Sequence, residues 1–153
     1  MSSSQINIAS KKSRLFWSMS IFSLLLLGGI SIYYMNTRPD LGESNDLLAV
    51  ADIENGKAIS QACTACHSIF EGERNIVGPN LFGIVGAKRA RNKTYPYSDA
   101  LLKMKDKTWT TDALYEWLGD PAEFAPGTKM PYNGLLDPQD RMDLIAYLIS
   151  INK

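Results

Sequence analysis

Residues 62–67 read A-C-T-A-C-H, and they hold the only two cysteines and the only histidine among 153 residues. A disulfide between Cys63 and Cys66 would close a very short loop and constrain the unfolded chain little. A thiol-redox C-x-x-C usually accompanies a βαβ pattern, and no strand alternation flanks this one. A structural zinc site wants four Cys/His ligands, typically from two separated pairs, and no second cluster exists. The spacing that remains is C-x-x-C-H as a c-type haem attachment site. There both thiols form thioethers to the porphyrin, and the adjacent imidazole is presented to the iron. This reading uses every Cys and His in the chain and constrains the fold strongly, because the polypeptide must wrap around a flat, largely apolar group.

Hydrophobic residues are unevenly spread. Residues 15–35, LFWSMSIFSLLLLGGISIYYM, carry no charge. As a helix they would be about 31 Å long, enough to cross a hydrocarbon core. Lys11, Lys12 and Arg14 precede the stretch, whereas Arg38 alone follows closely, among Asp40, Glu43 and Asp46. The positive-inside rule then places residues 1–14 in the cytoplasm and the bulk of the chain on the outer, periplasmic face. A cleaved leader is the alternative, but its apolar region is shorter and ends in a small-x-small site. The bulky GGISIYYMN argues for an uncleaved anchor. Residues 36–51 are polar at first, contain Pro39 and Gly42, and read as a flexible tether of about 20–24 Å.

The remaining stretch, 52–153, has the size of one domain and shows no internal repeat. It carries 12 Lys+Arg against 13 Asp+Glu, and the whole chain 16 of each, so nothing suggests a nucleic-acid partner. Helical signals dominate. Asp137-Pro138-Gln139-Asp140 combines an N-cap acid, proline at the first helical position and an acid in the first turn. Met142, Ile145, Ala146 and Ile149 follow at helical spacing, widened by Leu144, Leu148 and Ile151. A further helix is expected from about Asp52 through the cysteine motif. Short ones are expected from Ser98 and from Thr110 or Thr111 to Leu118, stopped by Gly119 and Pro121. No convincing period-2 strand is present, so the domain is expected to be all-α.

With one histidine, the iron's sixth position must be open or filled by another residue type, and a thioether is the obvious choice. Outside the expected anchor region the methionines are Met104, Met130 and Met142. Met142 falls on the apolar stripe of the last helix, and Met104 sits in LLKMKDK among charges. Met130, in P-G-T-K-M-P, lies in a loop stiffened by two prolines and is the best placed on local grounds, although these grounds do not exclude the other two.

Residues 52–153 resemble a class I cytochrome c of the mitochondrial type, and the whole chain resembles the membrane-anchored bacterial forms. The resemblance rests on GKAISQACTACHSI, VGPNLFGIVG, YPYSDALLK, WTTDALYEWLGDPAEFAPGTKMPYNG and DRMDLIAYLIS, in that order. It implies a small all-α domain wrapped around one covalently attached haem c, preceded by a single transmembrane helix. Cys63 and Cys66 would carry the thioethers, and His67 and Met130 would be the axial iron ligands. The Pro79 carbonyl would hold the far nitrogen of His67. Tyr97, Trp109 and Thr128 would lie near the haem propionates, and Gly56 would meet Tyr147 where the first and last helices cross. The chain also departs from the pattern. Trp117 replaces a tyrosine near the methionine sulfur, and Ala87 replaces an arginine near a propionate. Ala62, Ala122 and Glu123 replace lysines that ring the exposed haem edge.

Two protein ligands on the iron favour electron transfer over chemistry at the metal. The resemblance implies an outward-facing carrier in a bacterial cell membrane. Electrons would pass from a quinol:cytochrome c oxidoreductase to a haem-copper terminal oxidase. The competing class is an enzyme, the haem subunit of a peroxidase-like or other redox enzyme with a displaceable sixth ligand. A net charge of −1 and the missing lysines lead one to expect weak electrostatic steering.

Overall fold

The computed structural model describes residues 49–152. The expected cytoplasmic segment 1–14, anchor 15–35 and most of the tether 36–51 lie outside them. Among the described residues no helix is long and apolar enough to cross a membrane.

Among the described residues five helices with both ends defined follow in order: α1 Ile53–Thr64, α2 Asp99–Leu102, α3 Thr111–Gly119, α4 Pro121–Phe124 and α5 Pro138–Ser150. Each begins at a side chain that accepts from a free backbone N–H of the first turn. Asp52 takes the N–H of Asn55, Ser98 that of Leu101, and Thr110 that of Ala113. Asp137 takes those of Gln139 and Asp140, with Pro138 at the position where a missing N–H costs nothing. The expected starts at Ser98, Thr110 and Asp137 therefore hold. The first helix differs from expectation at its far end. It stops at Thr64, because the N–H groups of both Cys66 and His67 turn back onto the Cys63 carbonyl, at 3.0 and 2.9 Å. A second difference is α4, where Asp120 caps a further turn over Ala122 and Glu123. The stop expected at Gly119 and Pro121 therefore holds for α3, and the extra turn lies beyond it.

The core forms where α1 crosses α5. Leu144, Ile145, Ala146 and Leu148 of α5 are buried against Leu114, Trp117 and Leu118 of α3. The axes of α1 and α5 approach closely because position 56 has no side chain. A Cβ on Gly56 would stand 2.5 Å from the Asp143 carbonyl carbon, still nearer its oxygen, and 3.0 Å from the Tyr147 Cβ. At this crossing Asp143 is 1% exposed. Its carboxylate accepts from the Asp52 N–H at 2.9 Å, Asn55 Nδ2 at 2.8 Å and Gln139 Nε2 at 2.8 Å. Burial pushes this carboxyl up, but the three donors outweigh it and hold the group below the usual aspartate range.

The long loop between α1 and α2 is anchored by one patch of antiparallel pairing. Lys88 bridges Thr108, the N–H of Gly86 donates to the Trp109 carbonyl at 2.8 Å, and that of Arg89 to the Lys107 carbonyl at 2.9 Å. Apart from this isolated bridge the described domain is helical and irregular, as the absence of a strand period implies.

Candidate haem-binding site

A cavity of ≈ 280 Å³ opens between the end of α1, the 77–98 loop, α3, α5 and the segment after α4. Every sequence-predicted site residue lines it: Cys63, Cys66, His67, Pro79, Tyr97, Trp109, Thr128 and Met130. Most of the remaining wall is apolar, with Leu81, Ile84, Leu101, Leu114, Leu144 and Leu148 turned into it.

Cys63 sits in the last turn of α1, and the tightened turn beyond it carries Cys66 and His67. The Cys66 carbonyl in turn accepts from the N–H groups of Val77 and Gly78, at 3.1 and 2.7 Å, which ties the following loop across the motif. This brings the Pro79 carbonyl 2.7 Å from His67 Nδ1. A carbonyl can only accept, so Nδ1 carries the proton and the lone pair stays on Nε2. Burial pushes the His67 imidazole below the usual histidine range, with the Pro79 contact working against it. The neutral ring with a free Nε2 is the form that binds a metal. Gly78 is required beside it, since a Cβ there would lie 2.6 Å from Nδ1 and 2.7 Å from Nε2. Burial also pushes the Cys63 thiol up; its backbone hydrogen bond lowers it, and neighbouring Cys66 raises it.

The three candidate methionines are separated by the fold. Met130 lines the cavity, and its N–H donates to Thr128 Oγ1 at 3.2 Å, so Thr128 shapes the turn that carries it. Met104 instead accepts from Arg89 Nη1, at 3.2 Å from its sulfur. Met142 packs against the core cluster, as the other two also do, and does not line the cavity. Lys88 reaches the cavity, but Arg89 does not. The Arg89 guanidinium is buried over Trp109 and Phe124, 4.7 and 4.9 Å from the two ring centroids, and its Nε has no partner. Trp117 lines the cavity as part of the same aromatic cluster, 5.3 Å from Trp109 and 5.7 Å from Phe124.

Among the lining residues not singled out from the sequence are Arg91, Tyr95 and Tyr132. Tyr95 packs edge-on to Tyr97 at 4.8 Å and donates its hydroxyl to the Val77 carbonyl at 3.0 Å. Arg91 donates to the carbonyls of Gly83, at 2.7 Å, and Phe82. Burial pushes the Tyr132 phenol up. A basic loop and a pair of tyrosines are ordinary surface features in a sequence, and only the closure of the 77–98 loop turns them towards the cavity.

An apolar cleft with two thiols and a neutral imidazole on one segment and a thioether on another suits a haem and little else. Comparison with known proteins gives the same class. The family model described as cytochrome c matches residues 53–152, and the chain belongs to that family. It is 40% identical over 107 residues to a cytochrome c homolog of Bradyrhizobium diazoefficiens, covering 70% of this chain and 58% of that one. The chain thus spans a little under three fifths of the length of that bacterial relative. It is 39% identical over 104 residues to cytochrome c of Arabidopsis thaliana, covering 67% of this chain and 92% of the relative. Among solved structures, cytochrome cH from Methylobacterium extorquens is 42% identical, with a TM-score of 0.60 over 65% of this chain and 99% of that one. The family binds haem c covalently, and Cys63 and Cys66 stand in its haem-binding region. Its members are electron carriers.

Proposed function

We propose that this chain is a single-haem, membrane-anchored carrier in which His67 and Met130 are the two axial iron ligands. The observation that carries this reading is that His67 and Met130, alone of the chain's histidine and its three domain methionines, line one apolar cavity. When bound, the haem supplies a one-electron change between ferric and ferrous iron. The residues make that change easy. His67 stays neutral, fixed through Nδ1 to Pro79, and the thioether of Met130 carries no proton. Neither ligand has to gain or lose one as the charge changes. The apolar wall keeps water out and, with the sulfur ligand, favours the ferrous state. Cys63 and Cys66 would hold the haem through thioether bonds, so that oxidation and reduction would not release it.

The donor in this reading is a quinol:cytochrome c oxidoreductase and the acceptor a haem-copper terminal oxidase. The domain would stand on the periplasmic face of a bacterial cell membrane. The uncharged span 15–35 and the cations before it support the placement. The 36–51 tether would let the domain reach partners in the same membrane, raising effective concentration without new contacts. The test is to follow the haem spectrum in native membranes while oxygen is admitted, with and without cyanide. Rapid oxidation abolished by cyanide is expected. Oxidation indifferent to cyanide would remove the terminal oxidase as acceptor.

A further inference from the structure

The sequence contains two Asn-Gly pairs, Asn55-Gly56 and Asn133-Gly134, and the fold treats them oppositely. In such a pair the glycine backbone nitrogen can attack the asparagine side-chain carbonyl, because no Cβ on the second residue hinders the approach. At Asn55-Gly56 both reactants are held. Asn55 Nδ2 donates to Asp140 Oδ1 at 2.9 Å and to Asp143 Oδ2 at 2.8 Å, and the Gly56 N–H donates to the Asp52 carbonyl at 2.9 Å in the first turn of α1. At Asn133-Gly134 neither is. Asn133 is exposed on an irregular segment, and among the described residues neither its side chain nor the Gly134 N–H has a hydrogen-bond partner. No bulkier residue could stand at 134 to slow the attack. Its φ is +90°, and a Cβ there would lie 2.8 Å from the Gly119 carbonyl carbon and still nearer its oxygen.

The open pair lies in the strap that carries Met130. The Thr128 N–H donates to the Ala125 carbonyl at 2.9 Å and Lys129 Nζ to the Pro96 carbonyl at 3.0 Å, which fixes one end. The Leu135 N–H donates to the Leu118 carbonyl at 2.7 Å, which fixes the other. Between these anchors stand Met130, Pro131, Tyr132 and the Asn-Gly pair. We infer that Asn133-Gly134 is a self-modifying site, at which Asn133 becomes isoaspartate and the lengthened strap lets Met130 withdraw from the iron. This rests on the reading of Met130 as an axial ligand and adds how that ligand is lost with age. The Gly134 nitrogen bonds to Asn133 Cγ, and the side-chain nitrogen leaves with the displaced proton as ammonia. Water then opens the cyclic imide, and no oxidant or reductant takes part. Opening at the main-chain carbonyl leaves the chain running through the former side chain, one methylene longer. Opening at the other carbonyl gives aspartate on a chain of unchanged length. Either product adds one negative charge. Because Gly134 is seated against Gly119 and Leu135 is bonded to Leu118, the added length is taken up on the Met130 side.

The test uses the full haem-loaded chain in neutral detergent, aged warm at neutral pH and sampled over weeks. Peptide mapping that separates aspartate from isoaspartate follows each asparagine, and ion exchange resolves the more acidic forms. Asn133 should convert while Asn55 lags at least about a hundredfold, because the Asn55-Gly56 pair must first break two bonds to carboxylates and one to backbone. The isolated isoaspartyl form should lose most of its methionine–iron charge-transfer band and bind carbon monoxide when reduced. Freshly prepared Asn133→Asp carries the same added charge on an unlengthened chain and should keep the band. Asn133→Ala should age without losing it. Conversion at Asn133 no faster than at Asn55, or an isoaspartyl form with the full band of fresh protein, overturns the inference. Loss of the band in fresh Asn133→Asp also overturns it, since charge and not chain length would then release the ligand. A band absent from the fresh parent, or kept by fresh Met130→Ala, defeats the axial-ligand reading itself, and the release of Met130 with it.

Discussion

Gly56→Ala is the sharpest probe of how this domain holds together. In an exposed helix the change would stabilise by about 1 kcal/mol, because alanine is the better helix former. Here the new Cβ would lie 2.5 Å from the Asp143 carbonyl carbon, whereas ordinary Cβ contacts begin near 3.4 Å. The obstacle is backbone of α5 and cannot rotate aside, so the helices must part by about 1 Å. That opens the crossing at which Ser60, Leu144 and Ile145 are sealed and stretches the hydrogen bonds from Asp52 and Asn55 to Asp143. Overpacking of this kind costs about 3 kcal/mol. Less the propensity gain, a net loss of about 2 kcal/mol remains, or roughly 8–16 °C in Tm for a domain of this size. Guanidinium and thermal unfolding of the ferric haem-loaded protein, followed by far-UV circular dichroism, measure it directly. Lys57→Ala, one residue along on an exposed position, is the control. It loses only a 3.9 Å surface pair with Glu54, worth well under 1 kcal/mol. A Gly56→Ala protein as stable as the parent would refute the close-crossing argument.

Other outcomes follow from the same geometry. The Asp143 carboxyl is held below its usual 3.8 by its donors, so its stabilisation is full above that pH and is lost as pH falls through the lower folded value. Asp143→Asn should therefore cost about 2–3 kcal/mol at pH 7 and progressively less below pH 3.8, read from denaturation curves across pH; a constant difference would contradict this. The Arg89 guanidinium, buried behind Trp109 with an unpartnered Nε, should favour the ferrous form. Arg89→Met should accordingly lower the midpoint potential in spectroelectrochemical titration, and an unchanged potential would show that the charge is screened from the site. A chain starting at Asp52 behind a cleavable export signal should be haem-loaded and redox-active, since all five helices and the cavity lie within it; failure to take up haem on export would count against an independent domain.

What the sequence discloses here depends on how local each feature is. Cys63, Cys66 and His67 share one turn, so their chemistry is complete in five residues. Helix starts are equally local, because a capping side chain serves its own first turn. The Asp120-Pro121 start of α4 has the same form as Asp137-Pro138 and was legible, but four residues are too few for an apolar period to corroborate it. Met130 could not be separated from Met104 and Met142 by neighbours alone. What distinguishes them is tertiary, since Arg89 takes the Met104 sulfur and, of the three, Met130 alone lines the cavity. In the sequence Asp143 is one polar position on a helix, and its buried role depends on Asp52 and Asn55, about ninety residues away.

The account stands most directly on Met130. The measurement is the absorption spectrum of the ferric full-length protein in the region of the methionine–iron charge-transfer band, taken for the parent and for Met104→Ala, Met130→Ala and Met142→Ala, followed by carbon monoxide addition to each reduced form. The band should be present in the parent and in the Met104 and Met142 variants, none of which should respond to carbon monoxide. Met130→Ala should lose the band and bind carbon monoxide while keeping its covalently attached haem. A band that survives in Met130→Ala, or disappears in either of the other two variants, would contradict the assignment on which the closed, electron-carrying site depends.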